Sequence, residues 1–420
     1  MKTERRGPMG TAGSWFLEQL VRLRRSGACQ WIPRWLRGLG YRFLPGLELD
    51  ARTWHAEYRE RIANAHRNPL QTEVRVGIIT DPMYRHGLFE AACMELGVPH
   101  QLIDIRGPDW MERIHKSGCD AFVAWPSPIT NAVKRMYDDR LKVLSGEMKK
   151  PLFPCYEGLW LWESKLRIAN WLDVHDIPRP KTWVFYGREE TFAFIESAEY
   201  PLVFKTDLGS SAHGVEIVRS KREARRLVKL CFSKGYLPAR HEAHDRHRGC
   251  VILQQHLGDV AEWRMMRVGD SYFGYKKVKT GDYHSGTHLV DWDRPPDDLC
   301  DLTRDVTELG PFLSMSLDVF ETPGGRYFVN ELHPLWGWEE PSEMYVEGEP
   351  GRFLYDPGHS KWRFEPGVFS RNASCNLRLK TFFDLLGYPL RDRGVPNQEF
   401  SETPSGTREG GNAHSVRTTK

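Results

Sequence analysis

The hydrophobic rhythm of the chain changes near Glu73. From there, short apolar runs alternate with segments whose apolar residues recur every three or four positions. "VRVGIIT" (Val74–Thr80) predicts a buried strand, "GLFEAACMELG" (Gly87–Gly97) a helix and "HQLIDI" (His100–Ile105) a strand. "WMERIHKSG" then predicts a helix, "AFVAWP" a strand and "ITNAVKRMYDDRLKVL" a helix. Such alternation implies a Rossmann-like parallel sheet wrapped by helices. Where a dinucleotide-binding fold would carry GxGxxG after its first strand, "TDPMYRHG" stands instead, so that reading is weak.

Further along, Glu163–Lys181 predicts another helix, stopped by the prolines of "DIPRPKT". After Tyr200 two apolar strands flank a loop of small residues, followed by a helical "KREARRLVKLCF" and the loop "SKGYLPARHEAHDRHRG". A mainly β region is expected from Cys250 to about Leu332. No internal repeat is visible. The expected organisation is a basic aromatic extension (1–72), an α/β domain (73–160), a small subdomain (161–250), a larger C-terminal subdomain (251–390) and a disordered polar tail (391–420).

Composition narrows the class. With 420 residues, 40% hydrophobic and 27% charged, the chain is long enough for a sizeable core. Its apolar runs fall far short of the ~20 residues that span a membrane, and no signal-peptide order is present. The eight scattered cysteines form no CxxC pair, which reads as reduced thiols in a cytoplasmic protein. A net charge of +3 points to no specific nucleic-acid partner. Met1–Leu49 carries nine Lys/Arg against three Glu, interleaved with Trp15, Phe16, Trp31, Trp35 and Tyr41. It reads either as a peripheral membrane or acidic-partner anchor or as an extension packed on its own globular body.

The chemistry begins at "VFKTDLGSSAHGVEIV" (Val203–Val218). Gly209 and Gly214 have the outer spacing of a P-loop, but Val215-Glu216 stand where Lys-Ser/Thr is required, and a strand follows instead of a helix. The lysine lies upstream, at Lys205. Glycines admit backbone N–H groups to phosphate oxygens, serines add donors and Lys205 adds a point charge. An ordinary glycine-rich hairpin would read the same way.

Three more stretches bear on the choice. "VILQQHLGDVAEWRMMRVGD" offers strand-end backbone to a base edge, with Glu262 five residues on able to take ribose hydroxyls. "YKKVKTGDYHSG" brings Lys276, Lys277 and Lys279 towards a Gly-Asp turn. "SLDVFETPGGRYFVNELHP" predicts a hairpin in which Glu331 and His333 share a face and Asp318 falls almost opposite. Two carboxylates and a third ligand on one face suit a hard divalent cation, Mg²⁺ first. Separately, each has a plain structural alternative: a solvated edge strand, surface carboxylates, a capped histidine. Their order and spacing make coincidence a poor explanation.

From about Val76 to Leu386, most specifically from Lys165 to Pro334, the sequence resembles the ATP-grasp ligases. It looks closest to the RimK-type glutamate ligases and the D-alanine–D-alanine ligases. The resemblance implies an α/β (α+β) ATP-grasp fold behind an N-terminal Rossmann-like, parallel-sheet pre-ATP-grasp domain. "ESKLRIANWLDVHDIPRPKT" is similar to the helix whose lysine touches ATP, which falls on Lys165. "VFKTDLGSSAHGV" is similar to the lysine strand and phosphate loop, placing Lys205, Gly209, Ser210, Ser211 and Gly214. "LQQHLGDVAEWR" resembles the adenine hinge and ribose acid, placing Gln254, Gln255, His256, Leu257 and Glu262. The last hairpin resembles the paired-magnesium site, placing Asp318, Glu331 and His333.

The departures are Gln255 where many members carry Glu, His284 for Arg, Gly286 for Asn, and His333 for the usual Asn ligand. A nitrogen donor at 333 would accept Mn²⁺ better. The resemblance implies that a carboxylate attacks the γ-phosphate of ATP to give an acyl phosphate, which an amine then converts to an amide. Arg264, with Lys277, is the candidate to hold the acyl group or substrate carboxylate; the alternative is a strand arginine paired with Glu262. "HPLWGWEEPSEMYVEG", with Trp336, Trp338, Glu339 and Glu340, is expected to wall the acceptor pocket. His241, His244 and His247 fit no strong metal spacing. Two other functions fit the same parts: a kinase acting on a small polyol or sugar, and a non-catalytic ATP-binding module.

Overall fold

The structure, a computed structural model, describes residues 46–209, 214–238, 245–279, 289–337 and 342–391. The basic aromatic segment before Gly46 and the expected tail after Arg391 lie outside them. The first element is a helix, α1 (Gly46–Asn64). Three βα repeats follow: β1 (Val76–Ile79), α2 (Gly87–Leu96), β2 (His100–Ile103), α3 (Trp110–Ser117), β3 (Ala121–Ala124) and α4 (Asn131–Lys142). With β4 (Leu152–Phe153) the strands form a parallel sheet in the order β2-β1-β3-β4.

All residues of β1 and β3 are buried, as helices on both faces require. The turn after α2 needs a glycine: Gly97 is left-handed at φ +60°, and a Cβ there would meet the Pro69 carbonyl oxygen at 2.2 Å.

A short helix α5 (Tyr156–Leu161) and α6 (Lys165–Val174) lead into the second sheet. It contains β5 (Thr182–Phe185), α7 (Arg188–Ser197), β6 (Leu202–Lys205), β7 (Val215–Val218), α8 (Lys221–Cys231) and β8 (Val251–Gln255), with the antiparallel order β5-β8-β6-β7. Alternation sorts its faces. Leu202 and Phe204 of β6, and Val251 and Leu253 of β8, join Ile195 and Leu227 in the core beneath the helices. Lys205, Ile252 and Gln254 therefore point the other way, into a cavity.

The third sheet takes β9 (Ala261–Val268), β10 (Ser271–Lys277), β11 (Val290–Asp291), β12 (Ser314–Glu321), β13 (Tyr327–His333), β14 (Tyr345–Val346), β15 (Glu349–Asp356) and β16 (Lys361–Pro366). Its path runs β13-β12-β9-β10-β15-β14, with β11 on β10 and β16 on β15. Helix α9 (Asp297–Glu308) interrupts the region expected to be mainly β. "PPDDL" resembles a loop, but Pro296 caps a first turn holding Asp297 and Asp298, and Leu299, Thr303 and Val306 recur at helical spacing on the buried face.

The last helix, α10 (Cys375–Leu385), returns to α2. There the buried Glu95 carboxylate accepts from Arg371 (2.7 and 3.0 Å), Asn372 (2.9 Å) and Asn376 (2.8 Å). Among the described residues no helix is long and apolar enough to cross a membrane.

Candidate active site

The site lies between the second and third sheets. In the β12–β13 hairpin Asp318 stands opposite Glu331, and Ser316 opposite His333, the register expected from the Pro-Gly-Gly turn. Just beyond, Val319 pairs with Val329, so Asn330 is one extra residue on β13. This bulge turns Asn330 across the cleft, where its Oδ1 accepts from Lys205 Nζ at 2.8 Å.

Two cations reach Glu331 from the other side. Lys165 Nζ, in the first turn of α6, is 3.7 Å from Glu331 Oε1, and Lys205 Nζ, at the end of β6, is 3.9 Å away. Asp207 ties these elements together. Its Oδ1 accepts from Ser164 Oγ (2.8 Å) and Leu166 N (3.0 Å), and its carbonyl from Lys165 N (3.2 Å). Lys165 Nζ also donates to the Gly209 carbonyl at 2.5 Å.

Asp318 is held differently. Arg264, opposite it on β9, donates to both its oxygens at 2.8 and 2.9 Å. Lys277, on β10, lies 2.6 Å from Asp318 Oδ2 and also bonds Glu262, its cross-strand partner on β9. Glu262, Lys277 and Asp318 are all buried. Arg264 thus pairs with Asp318, where the alternative reading had given it Glu262.

Burial and charge set the protonation of the cluster. Burial pushes Lys205 down to about 8, against the pull of Glu331. Burial also disfavours the charged carboxylates, but Lys165, His333 and Lys205 hold Glu331, and Arg264 and Lys277 hold Asp318, well below the usual range. His333 is raised to about 9: burial opposes its charge, and the two carboxylates overcome it. Its Nε2 is 3.3 Å from Glu331 and 3.7 Å from Asp318, yet makes no directed hydrogen bond.

One ligand atom from each of Asp318, Glu331 and His333 lies within 4.8 Å of the others. A buried, unbonded imidazole nitrogen between two carboxylates fits a divalent cation that takes the place of its proton, because the nitrogen is aimed and otherwise unsatisfied. Around the three carboxylates Glu262, Asp318 and Glu331 stand four cations: Lys165, Lys205, Arg264 and Lys277. That balance suits an added polyanion such as a nucleotide phosphate chain.

Behind the lysines runs the cavity. α6 contributes Ile168, Ala169 and Leu172, the small sheet Thr182, Ile252 and Gln254, and β13 Val329 and Asn330, with Arg179 beside them. Apolar walls with a few polar groups suit a heterocyclic base. Gln254 Nε2 donates to Thr182 Oγ1 at 3.1 Å. The strand then leaves the cavity: Gln255 N donates to the Lys181 carbonyl, its side chain is exposed, and His256 Nδ1 accepts from Gly258 N. Leu257 follows in that turn.

Gly214 has φ +83°, and a Cβ there would lie 2.1 Å from Thr206 Oγ1, so glycine is required. Ser210 and Ser211, His241 and His244, His284 and Gly286, and Trp338, Glu339 and Glu340 lie outside the described residues. Sequence reasoning missed Asp207, Arg179 and Asn330. Only the polarity of Asp207 in "KTDLG" hinted at a role.

No protein-family model matches the chain. It is similar to the alpha-aminoadipate–LysW ligase LysX of Sulfurisphaera tokodaii, with 24% identity over 176 residues, covering 41% of this chain. The chain spans 59% of that relative's length. Among solved structures it is similar to a RimK-domain ATP-grasp protein of Sphaerobacter thermophilus, with 20% identity, 61% of this chain and 90% of that one covered, and a TM-score of 0.45. It is also similar to a D-alanine–D-alanine ligase of Bacillus anthracis complexed with ATP, with 13% identity, 62% and 86% coverage, and a TM-score of 0.47.

Proposed function

We propose that this chain is an ATP-dependent carboxylate–amine ligase of the ATP-grasp type. The observation that carries this reading is the convergence of Lys165 and Lys205 on Glu331, opposite Asp318 and His333, at the end of an apolar cavity. The base enters that cavity against Gln254, with Gln255, His256 and Leu257 forming the hinge and Glu262 taking the ribose. Lys165 and Lys205 take phosphate charge, while Gly209, Ser210, Ser211 and Gly214 bring backbone and hydroxyl donors to the phosphates.

Asp318, Glu331 and His333 would hold Mg²⁺, or Mn²⁺ through the nitrogen donor, and the ion would neutralise phosphate charge. The chain's own work is then positioning and charge compensation. Arg264 and Lys277, anchored on Asp318, hold the acyl group or the substrate carboxylate. The carboxylate is phosphorylated, and an amine displaces the phosphate to leave an amide. The domain division at about 73, 161, 251 and 391 belongs to the same proposal. So does a cytoplasmic setting, which the seven free cysteines of the described residues support.

The test is phosphate release from Mg-ATP across a panel of carboxylate and amine pairs, with α-aminoadipate and glutamate among the carboxylates, and mass spectrometry of the products. A product formed with loss of water, in step with phosphate release, is expected. Phosphate transferred to an alcohol, or ATP bound with no turnover, would overturn the ligase in favour of the kinase or the binding module.

A further inference from the structure

Among the described residues, several buried polar side-chain atoms have no hydrogen-bond partner. Ser316 Oγ and His333 Nε2 belong to residues facing each other across β12 and β13, and Glu343 Oε2 and Arg378 Nη2 are similarly unpartnered. Glu343 and Arg378 are both 0% exposed. Trp336, three residues past His333, links them: its Nε1 donates to Glu343 Oε1 at 3.1 Å, and its ring carries the Arg378 guanidinium at 4.2 Å.

Arg378 would be the ordinary counter-ion for Glu343, but it is directed elsewhere. Its Nε donates to Ser314 Oγ (3.0 Å) and its Nη1 to the Ala373 carbonyl (2.5 Å), and its Nη2 does not close on Glu343. The charged groups that act on Glu343 are Arg378, from α10, and Arg264, from β9. Arg264 is the group assigned above to the acyl end, and it is one of the two cations that act on Glu343. A buried, unsatisfied carboxyl oxygen becomes acceptor-only once ionised, and that form calls for a ligand that brings its own donors.

We propose that Glu343 is the acceptor-amine site of the ligase, binding a primary ammonium group at Oε2 and taking its proton. This rests on the ligase reading. One N–H proton passes to Glu343, leaving a neutral amine and a carboxylic acid. The nitrogen lone pair then forms the C–N bond to the acyl carbon. The bond from that carbon to the phosphate oxygen breaks with its electron pair, and the second N–H proton leaves with the phosphate. Burial raises Glu343 to about 8, with Arg378 and Trp336 opposing, so the carboxylate is a far stronger base than an exposed one.

The experiment compares ammonium acceptors from the panel with hydroxylamine, which is unprotonated at neutral pH and needs no base, in the wild type and in Glu343→Gln. The variant is expected to lose about 100-fold or more in amide formation, while hydroxamate formation stays within about threefold. Equal losses with both nucleophiles would make Glu343 a structural group and overturn the proposal, as would no loss with either. Trp336→Phe keeps the ring under Arg378 and removes the donor to Oε1. Should Glu343→Gln fail to fold by thermal melting, Trp336→Phe carries the test, with a several-fold loss expected for ammonium acceptors alone. A wild type that makes neither amide nor hydroxamate would overturn the ligase reading itself, and this inference with it.

Discussion

Asp318 and Glu331 face each other across one hairpin, yet their charges are neutralised in opposite ways. Asp318 is compensated within its own sheet: Arg264 and Lys277, from neighbouring strands, hold both its oxygens at hydrogen-bond distance. Glu331 depends on lysines from across the cleft, which stop at 3.7 and 3.9 Å. The first carboxylate is part of the sheet's internal structure. The second is loosely matched and remains open to a ligand. One strand pair thus offers a fixed charge and an available one.

The largest expected effect falls on the available side. Lys205→Ala and Glu331→Ala should each reduce ATP turnover by about 1,000-fold or more with the fold intact, and Glu331→Ala should weaken Mg-dependent nucleotide binding more than metal-free binding. Wild-type phosphate release in either variant would remove both residues from the site. Next comes the fixed side. Asp318→Asn leaves Arg264 and Lys277 buried without a full counter-charge and should destabilise by about 3–5 kcal/mol, whereas Glu331→Gln, whose lysines stand farther off, should cost less. Urea unfolding measures both, and equal losses would erase the distinction.

A third region sharpens the contrast, because there burial wins outright. At the turn after β1 the buried His86 accepts from Asp81 N at 3.1 Å, and burial, with Arg106 adding like-charge repulsion, pushes it down to about 4. Below its ordinary value near 6.5 the unfolded chain binds a proton that the folded chain refuses. Stability should therefore fall as pH drops from about 6.5 to 4, by up to about 3 kcal/mol, and level off below. Melting temperatures across that range should show a shallower slope in His86→Gln; an unchanged slope would assign the acid loss elsewhere. The smallest effect belongs to the uncharged wall of the cavity. Gln254→Ala removes one hydrogen bond, worth about 1 kcal/mol, and should weaken ATP binding several-fold with kcat unchanged, as isothermal titration and steady-state rates would show.

The parts of the site that lie within one stretch of chain were legible in the sequence. The Pro-Gly-Gly turn and the two-residue strand period together put Asp318 opposite Glu331 and His333 on the same face. Lys205 at a strand end was equally readable. What failed to show was set by distance along the chain. Arg264 was open to pairing with Glu262, two residues away on its own strand. Directly opposed residues on adjacent strands are the closer neighbours, and Asp318, 54 residues on, takes the guanidinium. The tie from Asp207 to the start of α6 spans some forty residues and needs two polar groups whose meeting no periodicity encodes. Helix α9 was hidden for a local reason, its Pro-Pro-Asp-Asp opening matching both a loop and a helix start.

The Asp207 tie has a mechanical side. One residue grips the first turn of α6 with its carboxylate and its carbonyl while sitting two positions past Lys205, and Lys165 in turn grips the Gly209 carbonyl. The strand end and the helix start are thereby pinned like two levers on one shaft. A ligand that draws either lysine inward carries the other with it, so the two positive charges move as one jaw.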